Sequence, residues 1–452
     1  MPTAFSMTRI ANIRNPHQKS RRFRWRWILN VKSMFSMRLL PNGDGHYGTS
    51  LVVIFAIGKL SQARQNARRL PLPPGPKGLP LVGNLRDIPP QNTFAPYHWA
   101  KHKDLYGPIS SLSILGDTII IINDAQIAFD LFEKQSLKFS DRPLLEFTTV
   151  VGYVQSTGAL QYNETLRAHR KQFSRARAHS SQFDKLQESE VAHFLLHLLD
   201  DPENLESHIT KEVGSVILHI VYGYSAENFK EDPLLSVINR VMDQFARSAM
   251  PGAHLIDIFP ILRCVPSWFP GTGWKKEVET YTKDLNESVE RPYAFVEHQI
   301  AQGNNNESFL SRLMNHGKDT SEDKHTNKWV AASMYQGGSD TESPKHIYTV
   351  AAISGFYLAM TLYPDVQKRA QEEIDRVVGS ERLPTMDDRN SLPYIDALVK
   401  EIIRWWPIGP MGLPHENTEE VAYRGYRIPK KSILMPNIWW FTHDPAVYKN
   451  PM

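Results

Sequence analysis

One cysteine, Cys264, stands among 452 residues. A lone thiol excludes a disulfide within the chain and any zinc site built on several cysteines, and it fits a reducing compartment. No apolar run reaches the roughly 20 residues that a spanning helix needs; a candidate, Leu51–Ile57, stops short before Lys59. Acidic residues are missing from the first 43 positions, which hold nine Lys and Arg. The formal charge of +4 therefore belongs to this leader. Beyond it 43 basic side chains face 48 acidic ones, a net of −5, which removes the case for a nucleic-acid surface. No internal repeat is visible, so a solenoid is excluded as well.

The composition is that of a globular protein, 41% hydrophobic and 22% charged, long enough for two domains or one large one. Apolar residues recur at helical spacing in Val191–Leu199 and Val213–Val221, which predicts a mainly helical fold. Strand signals are confined to Ile109–Leu115 with Thr118–Ile122 and to 422–434. Gln302–Glu307 and Gly317–Asn327 read as surface loops flanking a helix. Phe259–Pro270 is unusually rich in proline and large apolar groups for a loop, so it is either packed or in contact with lipid. The leader has the arginines, serines and lack of acids of a mitochondrial presequence. Leu51–Ile57 ahead of Arg64, Arg68 and Arg69 instead resembles a shortened membrane anchor with a positive flank. Both readings stay open, as does a third in which residues 1–46 are upstream sequence and no native leader.

Gly337-Gly338-Ser339-Asp340-Thr341 places an acid and a hydroxyl in a helix loosened by glycine, an arrangement suited to handling protons. Alone it would read as a helix N-cap. Some sixty residues later Glu401-Ile-Ile-Arg404 sets opposite charges one helical turn apart on one face; alone this is a solvated pair. Further segments follow the same order: Leu72–Asn84, Phe139-Ser-Asp-Arg-Pro143, Tyr162–Lys171, Leu413–Glu420, Tyr423–Lys430 and Asn437–Pro445. Together, from about Leu72 to Pro451, they resemble the cytochrome P450 family, in its fungal microsomal form.

The resemblance implies a mainly α fold with small β-sheets, the triangular helical prism of that family. Residues 1–46 would be a basic leader, 47–70 an anchor remnant, 71–85 a proline hinge and 86–452 the catalytic domain. It implies haem as cofactor and insertion of one oxygen atom from O2 into a small apolar substrate. Electrons would come from NADPH through a flavoprotein reductase. The protein would be a monomer at a membrane surface, on the cytoplasmic face of the endoplasmic reticulum, with mitochondria as the alternative. Asp340 and Thr341 would deliver protons to oxygen, and Gly337 and Gly338 would open the helix to admit it. Arg170 and His415 match the family's haem-propionate contacts. Glu401 and Arg404 match a buried structural pair, and Phe259–Pro270 matches a membrane-dipping segment at the substrate entrance.

Four departures accompany the match. Leu166 and Glu416 stand where the family often has Trp and Arg, so a donor is lost and a negative charge is expected near the propionates. Glu342–Tyr348 is a seven-residue insertion between Thr341 and Thr349. It adds about 10 Å of rise and about 20° of rotation to a helix, and Pro344 breaks its bonding. Retained intron sequence and a tolerated kink both explain it. The cysteine loop that would ligate the iron through a thiolate is absent, Cys264 lies in the entrance segment and is no substitute, and the chain stops before the family's remaining segments. The expectation is therefore a C-terminally truncated domain, with Trp405 and Trp406 on a poorly covered face. A non-catalytic fragment or misassembled gene product stands as the alternative to an active enzyme; a purely helical interaction protein conflicts with the order of motifs.

Overall fold

β-Branched residues build the first sheet. In a computed structural model, residues 69–452 are described apart from 81, 91–92, 178–182, 226–231, 250–252, 305–306, 317–319 and 340–347, and Leu70–Met452 form one compact unit. Ile109–Ile114 (β1) and Asp117–Ile122 (β2) pair antiparallel, Ile109 opposite Ile122. Leu115 and Gly116 link them with φ of 51° and 108°, the positive values that a type I′ turn requires at both central residues. Ile433–Pro436 (β6) runs parallel to β2, and His415–Glu416 (β3) antiparallel to β6, giving the order β1-β2-β6-β3. Val421–Tyr423 (β4) and Tyr426–Ile428 (β5) form a separate hairpin.

The proline-rich segment before β1 is docked against the sheet. Ser111 donates to Pro74 O from its backbone (2.9 Å) and to Pro73 O from its hydroxyl (2.6 Å), while Arg427 N donates to Pro71 O (2.8 Å). Gly75 and Gly83 permit this approach, since a Cβ on either would lie 1.9 Å from a β1 carbonyl oxygen.

Helices supply most of the remaining core. Ala95–Tyr106 (α1) packs on β1; Ala125–Phe132 (α2) and Ser136–Phe139 (α3) follow β2; Glu146–Val151 (α4) and Glu164–Arg177 (α5) lead to Asp184–Asp200 (α6). Leu205–Tyr222 (α7), Pro233–Ser248 (α8), Gly273–Ala301 (α10), Phe309–His316 (α11) and Ser321–Ser339 (α12) share one apolar cluster around Leu218, Ile238, Leu310, Val330 and Tyr335. Leu255–Ile258 (α9) lies between α8 and α10 in the chain. Tyr348–Leu362 (α13), Pro364–Val377 (α14) and Pro393–Trp405 (α15) form a second cluster around Met360, Ala370, Leu398 and Ile402, and Ile438–His443 (α16) packs on α15 and α1.

The expected mainly helical fold with small sheets is what forms. One loop was misread: residues 321–327 open α12. Thr320 Oγ1 accepts from Asp323 N at 3.1 Å and donates to the Asp323 carboxylate at 2.7 Å. Thr320-Ser-Glu-Asp323 is thus a helix-start signal hidden in a polar stretch. Among the described residues no helix is long and apolar enough to cross a membrane. The leader, the anchor run Leu51–Ile57 and insertion residues 342–347 lie outside the described residues.

Candidate functional site

Residues 138–142 and 413–418, more than 250 positions apart in the chain, converge beside β3, and the start of α5 joins them. His415 Nδ1 donates to Phe139 O at 2.7 Å, Glu416 N to Asp141 O at 2.8 Å and Thr418 N to Lys138 O at 2.9 Å. Arg142 Nη1 reaches back to Leu413 O and Pro414 O, each at 2.9 Å. Asp141 also accepts from Tyr162 N at 2.7 Å, just before α5, and Asn163 caps that helix by accepting from Leu166 N at 3.0 Å. The result brings Arg142, Arg170 and His415 within electrostatic reach of one another. Burial, then the Arg142 charge, push His415 down to about 4 against its bond to Phe139, and Arg170 adds to the push. Three basic groups gathered in this way suit a ligand carrying carboxylates.

Of these three, Arg142 was visible only as part of a turn motif. Leu166 is buried, so an apolar contact stands where the family often has a donor. Glu416 follows His415 directly on β3. Successive strand residues face opposite ways, and Glu416 is influenced by Lys431, Asp141, Asp117 and Lys430, none of which acts on His415.

His169 was missed. It is fully buried in α5, with Nδ1 2.8 Å from Thr157 Oγ1 and Nε2 without a partner among the described residues, and burial followed by His325 lowers its pKa to about 4. Thr157 N donates to Ser333 Oγ at 2.9 Å, so one loop residue ties α5 to α12. The signal was the stripe Leu166, His169, Phe173, spaced three and four apart on the inner face.

Gly337, on α12, is exposed, with open space where a Cβ would stand. Gly338 continues the same helix. Asp340 and Thr341 lie outside the described residues. Glu401 and Arg404 meet as expected, through two bonds of 2.7 Å. Their burial is unequal: 11% of the Arg404 side chain is exposed against 57% of Glu401, so the carboxylate faces solvent. Trp406 is 42% exposed, whereas Trp405 packs against the α13–α15 cluster.

At another edge, α4 is clasped by the segment that follows α8. Asp257 Oδ1 accepts from Phe147 N at 2.8 Å, Arg263 Nη1 pairs with Glu146 at 3.0 Å, and the His254 ring stacks on Phe147 at 3.5 Å. Beside this clasp Phe259, Ile261, Trp268 and Phe269 are exposed, and a groove of about 230 Å³ runs between Leu262, Val265, Phe269 and Trp274. Cys264 ends a short 3₁₀ turn, Pro260–Cys264, and is exposed. Among the described residues no cluster of His, Cys, Asp and Glu is set to hold a metal ion.

Residues 73–452 match the family model for cytochrome P450. The chain is 45% identical over 387 residues to cytochrome P450 monooxygenase claR of Ampulloclitocybe clavipes, covering 85% of this chain and 70% of the relative. It is 41% identical over 414 residues to cytochrome P450 monooxygenase CLM2 of Gibberella zeae, covering 89% and 77%. To the O-methylsterigmatocystin oxidoreductase of Aspergillus flavus it is 41% identical over 389 residues, covering 85% and 72%. Motif order, helical architecture and these likenesses agree, and the chain belongs to the cytochrome P450 family.

Proposed function

We propose that this chain is a haem-dependent monooxygenase, inserting one oxygen atom from O2 into an apolar organic substrate with electrons from NADPH through a flavoprotein reductase. The meeting of Arg142, Arg170 and His415 carries this reading, because a basic cluster drawn from the turn after α3, α5 and β3 fits the two carboxylates of haem. When bound, haem supplies the redox chemistry that activates oxygen. Arg142, Arg170 and His415 would hold its carboxylates. Cys264, the one cysteine of residues 1–452, is exposed.

Asp340 and Thr341 hold and pass protons at the reacting side, and Gly337 and Gly338 loosen the helix that carries them. Glu401 and Arg404 keep α15 in place and take no part in electron transfer. The exposed apolar residues around Trp268 rest on the membrane beside the substrate entrance, at the cytoplasmic face of the endoplasmic reticulum. Residues 47–70 tether the body, with 1–46 ahead of the tether and 71–85 joining it to the catalytic part. A relative named for oxidising O-methylsterigmatocystin supports a small organic substrate of the kind met in secondary metabolism.

Haem titration of the purified chain tests the reading. Uptake of one haem per chain with a Soret band is expected, the reduced, carbon-monoxide-treated spectrum then reporting the iron ligand. Failure to take up haem at micromolar concentration overturns it.

A further inference from the structure

We propose that binding of a carboxylate at the Arg142–Arg170–His415 cluster takes up one proton, because His415 as it stands offers the site a lone pair and no hydrogen. The inference rests on the haem-binding reading above and adds a regulation to it.

The tautomer follows from the partner. His415 Nδ1 lies 2.7 Å from Phe139 O, and a carbonyl oxygen only accepts, so the hydrogen is on Nδ1. The neutral ring then has a bare Nε2, which has no hydrogen-bond partner among the described residues. A carboxylate at neutral pH also brings only lone pairs. Two acceptors facing each other repel, and a single proton resolves the conflict, placed on Nε2 or on the incoming carboxyl oxygen. Either way the complex holds one proton more than its separated parts.

The surroundings keep the ring neutral. Arg170 faces it from α5 and Arg142 from the turn after α3, both positive. Phe132 of α2 covers the ring at 4.7 Å, and Leu434 of β6 is opposite it in register. The nearby acids, Glu416 and Asp141, and the basic Lys430 and Lys431 act at the other face of β3. No acid among the described residues acts on the imidazole, so an arriving anion reverses the balance that holds it unprotonated. Burial and the two guanidinium groups hold the ring down to about 4.

Calorimetric titration of the chain with haem, in two pH 7 buffers of different ionisation enthalpy, counts the protons. About one proton per haem is expected, with affinity falling about tenfold per pH unit as pH rises above neutral. Haem dimethyl ester, which has the same ring and iron but no carboxylate, should take up none. His415→Asn, checked for folding by circular dichroism, should bind haem with no proton uptake. Arg170→Gln should bind more weakly yet still take up the proton. Binding of haem without proton uptake, or undiminished uptake in His415→Asn, overturns the inference while leaving haem binding intact. Absence of any haem binding overturns the haem reading and this inference with it.

Discussion

Arg404 grips Glu401 from two nitrogens, Nε and Nη2, at 2.7 Å each, and its third nitrogen reaches Thr442 O at 2.6 Å and Pro451 O at 3.0 Å. The arginine therefore joins α15 to two later stretches of backbone, and it does so from a largely covered position, with the Tyr448 ring 4.9 Å away.

That asymmetry ranks two substitutions. Arg404→Ala strips charged donors from two carbonyls as well as from Glu401, and is expected to cost about 2–3 kcal/mol. Glu401→Ala removes a carboxylate that is mostly in water and is expected to cost about 1 kcal/mol or less. Urea denaturation of both variants decides the order; equal losses would show that the ion pair, and not the backbone bonds, dominates.

Glu373 presents a second, quieter lock. This buried carboxylate on α14 accepts from Tyr394 N (3.2 Å) and Ile395 N (3.0 Å), the first N–H groups of α15 after Pro393, which has none. Both oxygens are committed as acceptors, so Glu373→Gln would turn an NH2 toward an N–H. A loss of about 1–2 kcal/mol and a lower melting temperature are expected. An unchanged melting curve would mean that α15 is fixed without its cap.

The pH dependence of stability should have two limbs of opposite sign. Burial, then Glu190, push Glu212 up to about 8 from an ordinary 4.5, and its Oε1 is buried without a partner. Between pH 4.5 and 8 the unfolded chain gives up this proton while the folded chain keeps it, so stability falls as pH rises through that range. His169 acts in the reverse sense: between 6.5 and about 4 the unfolded chain gains a proton that the folded chain refuses, so stability falls as pH drops. Glu212→Gln should flatten the alkaline limb and His169→Gln the acid one. Urea midpoints from pH 4 to 9 measure both, and slopes unaltered by these substitutions would refute the assignment.

The apolar edge after α9 should bind lipid at little cost to folding. Ile261 is 73% and Trp268 79% exposed, so replacing both by Ser removes few internal contacts, and stability should change by no more than about 0.5 kcal/mol. Each side chain that enters a bilayer contributes about 1.5–3 kcal/mol, so partition onto phosphatidylcholine vesicles should fall at least tenfold in the double variant. Equal sedimentation of both proteins with vesicles would remove this edge from the membrane contact.

Much of the fold was legible because its signals are local. Helical spacing and the apolar runs Ile109–Leu115 and Thr118–Ile122 act over a few residues, and they became the helices and the β1–β2 hairpin. The opening of α12 was the exception, since Thr320 and Asp323 cap a helix inside a stretch whose polarity imitates a loop.

The candidate site was legible only in pieces. Residue order alone determined the family, and it marked Arg170, His415, Glu401 and Arg404 as positions to watch. Which of them meet, and with what, was decided by tertiary structure. Arg142 joins Arg170 and His415 because the turn after α3 pairs with the strand at 415–416, a contact across more than 250 residues that no local pattern encodes. The same pairing sets the face on which each side chain falls. It turns Glu416 away from the cluster and commits His415 Nδ1 to a carbonyl, so the hydrogen that a carboxylate would need is missing from an imidazole that sequence could place but not protonate.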